Sequence, residues 1–178
     1  MLPSIISQAQ LAALTALARR APAGAFAEVG VYRGGSALLL YEIAQEQGRT
    51  LHLFDTFTGT PFYTEAVDHH KPGPEFAAAD APDYIRLLMP RAQLHIGVYP
   101  ETHPAGLRDL AFVHCDCDQY LSYRAVIDHM WPLVVPGGFL LFDDYPYLKG
   151  AKRAVEESFE PAALQKAGQR FFVQKAAA

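Results

Sequence analysis

Short apolar runs that alternate with helical patterns are the feature that most constrains how this chain of 178 residues can fold. The predicted strands are 25–31, 51–54, 93–96, 110–115, 138–142 and 170–174, and the predicted helices are 36–47, 83–89, 122–131 and 150–159. Strands joined through helices form mainly parallel sheets that are covered on both faces. The pattern therefore predicts a doubly wound, three-layer α/β fold.

Composition supports one globular domain over residues 1–178 and excludes several partners. Hydrophobic residues make up 51% of the chain and charged residues 19%, which argues against disorder. The net charge of −4 and the pI near 5.9 lack the basic footprint of a nucleic-acid-binding protein. Cys115 and Cys117 are the two cysteines, and residues two apart on a strand are poorly placed to form a disulfide. We therefore expect reduced thiols and a cytoplasmic protein.

The N-terminal segment 1–24 is predicted to be a helix and a linker. Ser7 and Gln10 have the spacing of a capping box, and Leu11, Leu14 and Leu17 follow at helical intervals, so the helix should cover roughly 8–20. The segment lacks the basic start and unbroken apolar centre of a secretory signal, and it is too polar to span a membrane. We expect neither a leader nor a membrane anchor here.

Polar residues recur at the carboxyl ends of the predicted strands, and this regularity is the main functional clue. The residues concerned are Glu28, Gly30, Asp55, Gly97, Asp116, Asp143 and Asp144. In open parallel sheets, ligands bind beyond these strand ends. We therefore expect a binding site along one edge of the sheet.

A glycine-rich turn, residues 28–36, follows the first strand. It does not match the dinucleotide fingerprint, because Tyr32 takes the place of the second glycine, and no lysine follows as in a P-loop. Glu28 suits a ligand that carries an amino group, and Asp55 can accept hydrogen bonds from ribose hydroxyls. A purely structural turn and a capping role for Asp55 are the alternatives. Together the two features favour a nucleoside ligand with an amino-acid end.

Three aspartates form the second candidate site. Asp116, Asp143 and Asp144 end two strands that are expected to be neighbours, and three carboxylates suit Mg²⁺ or Ca²⁺. Solvated carboxylates at a sheet edge are the alternative. A zinc site is disfavoured because strand alternation separates His114 from Cys115, which we interpret as a core residue.

The irregular segment 56–82 contains His69 and His70 and follows Asp55. Its position predicts a loop that covers the strand ends and the substrate, although a solvated loop has the same composition. Glu101 and Thr102 after Gly97 fit either a cofactor pocket or a turn cap.

Several stretches together resemble the macrocin O-methyltransferase type of class I S-adenosylmethionine-dependent methyltransferases. The matching stretches are 26–36, 55–61, 97–104, 112–120, 136–139, 143–145 and 152–155. The combination is more specific than any one motif, and it extends from about residue 25 to the C-terminus. The resemblance implies a Rossmann-like, mostly parallel sheet with an antiparallel last strand.

The resemblance also implies a cofactor, a metal and a reaction. The candidate residues for binding S-adenosylmethionine are Glu28, Gly30, Val31, Tyr32, Gly34, Ser36, Asp55, Thr56 and Gly97. Asp116, Asp143 and Asp144 would bind Mg²⁺, and Asp116 would also act as general base. The expected reaction is O-methyl transfer to a hydroxyl of a small molecule, most simply a sugar or a glycosylated natural product. We expect no nucleic-acid or membrane partner, and we allow for a homo-oligomer.

Two departures from the family pattern concern the acceptor. Only about 24 residues precede the first strand, and residues 58–61 lack the acidic and apolar residues common in the family. A metal-dependent catechol or phenol O-methyltransferase is the first alternative, because a chelated diol would satisfy the same carboxylates. A non-catalytic nucleoside-binding module is the second, and a nicotinamide oxidoreductase is the weakest, because its glycine spacing is not met.

Overall fold

The computed structural model describes residues 6–177, which contain one seven-stranded sheet. The strands are β1 (Ala25–Val29), β2 (Leu51–Asp55), β3 (Gln93–Ile96), β4 (Leu110–Cys115), β5 (Val134–Phe142), β6 (Leu164–Ala167) and β7 (Arg170–Gln174). Their order in the sheet is β3-β2-β1-β4-β5-β7-β6. The first five strands pair in parallel, whereas β7 is antiparallel to both β5 and β6. The predicted α/β fold with an antiparallel C-terminal strand is confirmed.

Five α-helices connect the strands or precede them. They are α1 (Gln8–Arg20), α2 (Gly35–Glu46), α3 (Ala81–Leu88), α4 (Tyr120–Met130) and α5 (Lys149–Glu156). The predicted capping box starts α1, because Ser7 accepts from the Gln10 backbone and the Gln10 side chain accepts from the Ser7 backbone. Residues 1–5 of the predicted N-terminal segment lie outside the described residues. No helix within residues 6–177 is long and apolar enough to cross a membrane.

The sheet separates two apolar cores, as the predicted three layers require. On one face, Leu40 and Ile43 of α2 pack with Phe26 and Phe112 of the sheet. On the other face, apolar side chains of α4 and α5 pack against the intervening strand residues. Because successive side chains of a strand point to opposite faces, each central strand contributes to both cores. Because both faces of the central strands are buried, the positions of the strand ends that form the site are well determined.

Three strands differ in their bounds from the sequence prediction, and a fourth was not predicted. β1 ends at Val29 rather than at residue 31, and β2 ends at Asp55 rather than at residue 54. β5 begins at Val134 rather than at residue 138, and Pro136 lies inside it. A register irregularity between Leu110 and Phe112 accommodates this part of β5, where proline cannot donate a ladder hydrogen bond. The short strand β6 was not predicted, because Gln165 and Lys166 are exposed and form no apolar run.

A pair of histidines on β2 and β3 makes the stability of this edge of the sheet depend on pH. Nδ1 of His52 on β2 lies 3.1 Å from Nε2 of His95 on β3, and the two rings stack. Burial, together with the positive charges that His95 and His103 would carry, lowers the pKa of His52 to about 4. His52 is therefore neutral in the folded protein over a pH range in which an exposed histidine is charged.

We expect the fold to lose stability as the pH falls from about 6.5 towards 4. In this window His52 is protonated in the unfolded state and neutral in the folded state. Its contribution therefore lowers the free energy of unfolding by at most about 1.4 kcal/mol for each pH unit. His52→Gln should flatten this dependence in urea unfolding series at several pH values. His69→Gln, a change at an exposed histidine, serves as the control, and equal slopes in wild type and His52→Gln would contradict the assignment.

Candidate active site

A cavity of about 400 Å³ lies beyond the carboxyl ends of the parallel strands. It spans the point between β1 and β4 where the strand order reverses, the position at which open α/β sheets bind ligands. Of the candidate cofactor residues, those that line it are Gly30, Val31, Tyr32, Ser36, Asp55, Thr56 and Gly97. The three candidate metal ligands, Asp116, Asp143 and Asp144, line it as well. The structure thus brings the two predicted sites into one cavity.

Asp55 organises the glycine-rich turn. One of its carboxylate oxygens accepts hydrogen bonds from the backbone N–H groups of Val31 and Tyr32, at 2.6 and 2.7 Å. The other oxygen accepts from the N–H of Phe57 at 2.7 Å. A carboxylate has about four acceptor positions, so Asp55 retains acceptor capacity towards the cavity. The predicted capping role is therefore present, and it leaves room for a ligand hydroxyl.

Gly30 is required by a close approach of two strand ends. Its φ is +90°, and a Cβ at this position would overlap the backbone carbonyl of Asp116. Only glycine therefore allows the chain after β1 to pass this close to the end of β4. Gly34, also at positive φ, is the N-cap of α2 and is not among the described residues that line the cavity.

Glu28 does not reach the cavity, contrary to the expectation that it contacts the cofactor. Its side chain is fully buried, and Oε1 lies 2.8 Å from Nδ1 of His114 on the neighbouring strand. Glu28 and Gly30 share one face of β1, but Gly30 lies beyond the last strand residue and reaches the cavity, whereas Glu28 lies within the strand and packs against His114. The other oxygen, Oε2, is buried without a hydrogen-bond partner among the described residues.

The carboxylate cluster is partly as predicted. Ligand atoms of His114, Asp116 and Asp143 lie within 4.8 Å of one another, whereas Asp144 is not in this group. Asp144 is held instead by the Tyr123 hydroxyl at 3.0 Å and by the Asp118 N–H at 3.1 Å. The Tyr123 hydroxyl also contacts the Cys115 carbonyl, which links the ends of β4 and β5.

Burial and mutual repulsion raise the pKa values of these carboxyls. Burial, followed by the charges of Asp143 and Asp144, raises the pKa of Asp116 well above its ordinary value. The same causes, burial and then Asp143, raise the pKa of Asp144 to about 6. A bound cation would relieve this repulsion.

The donor set fits a hard divalent cation. The carboxylate of Asp116 faces the cavity and has no hydrogen-bond partner among residues 6–177. Oxygen ligands of this kind are those that Mg²⁺ and Ca²⁺ prefer. His114 lies close enough to Asp116 and Asp143 to be a cation ligand, but both of its ring nitrogens already face carboxylates, which makes it a poor one.

Arg170 is a site residue that the sequence analysis missed. Its guanidinium pairs with the Asp143 carboxylate and donates to the Asp143 backbone carbonyl, and it is buried beside the cavity. Because β7 is antiparallel, its first residue lies at the edge where the parallel strands end. The available signal was a lone arginine at the start of an otherwise apolar strand.

His114 carries a charge inside this network. Burial alone would lower its pKa, but hydrogen bonds to Asp143 and Glu28, together with the charges of Glu28 and Asp116, raise the pKa to about 10. A protonated His114 therefore lies between two carboxylates at the centre of the sheet. Cys115, next in sequence, is buried in the core on the opposite face, as predicted.

Asp118 is a second residue that sequence reasoning did not assign. It lines the cavity two positions after Asp116 and adopts a left-handed backbone, with φ of 60°. Burial, followed by the charges of Asp144 and Asp143, raises its pKa to about 8. The D-x-D spacing in residues 116–118 was the signal that could have identified it.

The loop residues separate into cavity and surface positions. Gly59, Thr60, Pro61 and His70 from the segment 56–82 line the cavity, whereas His69 is exposed. Glu101 is exposed and is not among the described lining residues. Thr102 donates its backbone N–H to Val98, which favours the turn interpretation for this pair.

The strand order and the strand-end cavity define a Rossmann-like α/β fold. The structure aligns with the O-methyltransferase NovP at a TM-score of 0.82 and 24% identity, over 97% of this chain and 82% of that one. It aligns with the calicheamicin methyltransferase CalS11 at a TM-score of 0.75 and 20% identity, over 92% of this chain and 76% of that one. At these identities the similarity establishes the fold.

The chain belongs to the macrocin O-methyltransferase (TylF) family, whose model matches residues 5–167. It is 31% identical over 148 residues to 8-demethyl-8-(2,3-dimethoxy-alpha-L-rhamnosyl)-tetracenomycin-C 4'-O-methyltransferase of Streptomyces olivaceus, covering 74% of this chain and 56% of that protein. It is 29% identical over 150 residues to mycinamicin III 3''-O-methyltransferase of Micromonospora griseorubida, covering 73% and 58%. The chain thus aligns with little more than half the length of these relatives.

Substituting Gly30 tests the close approach of β1 and β4. Gly30→Ala should lower the free energy of unfolding by about 3 kcal/mol or more, through overlap with the Asp116 carbonyl and a strained positive φ. Gly106→Ala, where a Cβ meets open space, should change it by less than about 0.5 kcal/mol. Chemical unfolding of both variants provides the measurement, and equal stabilities would contradict the assignment.

Proposed function

We propose that this protein transfers a methyl group from S-adenosylmethionine to a hydroxyl of a small molecule, with the assistance of Mg²⁺. The observation that carries the proposal is one cavity that joins a nucleoside-type half to a carboxylate half. The glycine-rich turn with Asp55 forms the first half, and Asp116 with Asp143 and Asp144 forms the second. Membership in the macrocin O-methyltransferase family supports the same reaction.

The cofactor half would orient the methyl donor. When bound, S-adenosylmethionine supplies an already activated methyl group, so the protein's task is positioning. Asp55 would accept a ribose hydroxyl through its remaining acceptor capacity, and the backbone of Gly30 and Val31, which lines the cavity, would contact the methionine part. Glu28 would act from behind the turn by holding His114, without contacting the cofactor.

The carboxylate half would hold the cation and the acceptor. Asp116, Asp143 and Asp144 are the proposed ligands, and Mg²⁺, when bound, supplies positive charge that stabilises the developing oxyanion of the acceptor hydroxyl. His114 and Arg170 both contact one oxygen of Asp143, which leaves the other oxygen free for the cation. Such outer contacts orient metal ligands in proteins.

Two residues are candidates for the proton acceptor. Asp116 is the base that the family resemblance implies, and it faces the cavity without a hydrogen-bond partner among the described residues. Asp118 is the second candidate, because it faces the same cavity and is not needed as a cation ligand. In either case the acceptor hydroxyl loses its proton to a carboxylate at the end of β4 while its oxygen attacks the methyl carbon.

The proposed acceptor is a sugar hydroxyl of a glycosylated natural product. Relatives in this family methylate the mycinamicin III 3'' position and the 4' position of a rhamnosyl tetracenomycin, according to their names. We further propose that residues 6–177 work as a single methyltransferase domain in which the segment 56–82 covers the acceptor. Hydrogen bonds from Gln119 to the carbonyls of Phe62 and His70, and from the Tyr120 N–H to Asp68, support this placement.

Asp116→Asn should abolish methyl transfer while leaving cofactor binding largely intact, because Asp116 lies in the carboxylate half of the cavity. Turnover would be measured by S-adenosylhomocysteine release with methyl α-L-rhamnopyranoside, p-nitrophenyl β-glucopyranoside and catechol as probes. Calorimetric titration with S-adenosylhomocysteine, with and without Mg²⁺, would measure binding.

Three outcomes would change this assignment. Wild-type-like turnover in the variant would overturn the role of Asp116, and full wild-type activity in excess EDTA would overturn the role of the metal. Catechol as the sole accepted probe would move the acceptor to the phenol class.

Asp118→Asn separates the two candidate bases. If Asp118 takes the proton, turnover should fall by roughly 10²-fold or more while affinity for Mn²⁺, a paramagnetic substitute for Mg²⁺, stays within about threefold of wild type. Asp116→Asn should instead weaken Mn²⁺ binding as well. Electron paramagnetic resonance titration with Mn²⁺ provides the readout. Near-wild-type turnover in Asp118→Asn would leave Asp116 as the base.

A further inference from the structure

His70 extends from the segment 56–82 into the cavity, although its neighbour His69 points to the surface. The His70 side chain is only 12% exposed and lines the cavity. Phe76 packs edge-on against its ring, with 5.1 Å between the ring centroids. Its backbone carbonyl accepts a hydrogen bond from the buried Gln119 side chain at 3.1 Å. Backbone and ring are thus both held in place.

The two ring nitrogens of His70 face two carboxylates. Nδ1 lies 2.9 Å from Oε2 of Glu75, off the direction of a hydrogen bond, and Nε2 lies 4.0 Å from Oδ1 of Asp118. Glu75 is half-exposed, whereas Asp118 lies inside the cavity. With the ring proton on Nε2, His70 presents an N–H donor on the side of Asp118.

Nε2 of His70 and Oδ1 of Asp118 are spaced so that one oxygen atom, placed beside the line that joins them, can contact both. A distance of 4.0 Å is too long for a direct hydrogen bond. A single oxygen placed about 2.8 Å from each atom bridges such a gap at an angle of roughly 90°. The groups facing this space are a donor on one side and an acceptor on the other, which is what a hydroxyl group requires.

We propose that His70 is a catalytic residue that binds the acceptor hydroxyl opposite Asp118 and stabilises its developing negative charge. The inference rests on the proposed methyl transfer. Nε2–H of His70 donates to the hydroxyl oxygen, and the hydroxyl donates to Asp118. As the O–H bond breaks, the proton passes to Asp118 and an oxygen lone pair forms the O–CH₃ bond. The C–S bond breaks with its electron pair remaining on sulfur, which gives S-adenosylhomocysteine.

This role makes the segment 56–82 part of the catalytic machinery as well as a cover. Hydrogen-bond donors aimed at a developing oxyanion typically contribute about 10²–10³-fold in turnover. Hydrogen bonds from the Gln119 side chain to the segment hold the His70 donor at the cavity. The pair His69–His70 thus divides into a surface residue and a site residue.

Three variants test the proposal with the same three acceptor probes. His70→Phe keeps a ring beside Phe76 and removes the donor, so turnover should fall by roughly 10²-fold. His70→Gln carries an amide N–H of similar reach and should recover part of the loss. His69→Phe, the matched change at the exposed neighbour, should stay within about twofold of wild type. All three should retain the wild-type melting temperature and S-adenosylhomocysteine affinity.

Imidazole rescue adds a readout that a structural role would not move. His70→Ala should regain turnover as imidazole is added, because the free ring can occupy the emptied space beside Phe76 and Asp118. Near-wild-type turnover in His70→Phe, or losses that follow the melting temperature and show no rescue, would overturn the inference alone. Absence of turnover by the wild type with every probe would overturn the proposed function, and the role of His70 with it.

Discussion

A buried line of charged side chains across the centre of the sheet is the interaction on which the site depends. Glu28 on β1, His114 on β4, Asp143 at the end of β5 and Arg170 on β7 form it, and these four strands are neighbours in that order. Each charge is buried and faces an opposite one. Removing one member would leave an uncompensated buried charge, which costs about 3–5 kcal/mol. The line therefore fixes the mutual register of the strand ends.

This line explains why the remaining negative charge is concentrated at one place. Glu28 and Asp143 are balanced by His114 and Arg170, whereas Asp116 has no such partner among the described residues. Burial and like charges raise its pKa, so a proton or a cation is required there. His114 and Arg170 thus balance the charges of Glu28 and Asp143, and the unbalanced carboxylate of Asp116 lines the cavity, where a ligand can reach it.

The sequence pattern predicted β3, β4 and β7 with their observed bounds, because each is a short segment with apolar residues between clear turns. It missed β6, an edge strand whose exposed residues need no apolar pattern. The strand-end rule placed Asp55 and Asp116 at the cavity, where both lie, whereas Glu28 lies within β1 and is buried against His114. Arg170 reaches the site through the antiparallel pairing of β7, a long-range contact that no local pattern encodes.

The difference between strand ends and irregular segments also decides which parts of the proposed site can be inferred from family membership. The cofactor and carboxylate halves are built on strand ends held by two buried cores, so their geometry follows from the fold. The proposed acceptor side is the irregular segment 56–82, which is attached through a few hydrogen bonds from Gln119 and to Asp68. Loops of this kind change sequence without disturbing a core. In the proposed methyl transfer, acceptor choice would therefore depend on the segment and the rate of transfer on the sheet, and His70 of the segment faces Asp118 just beyond the end of β4.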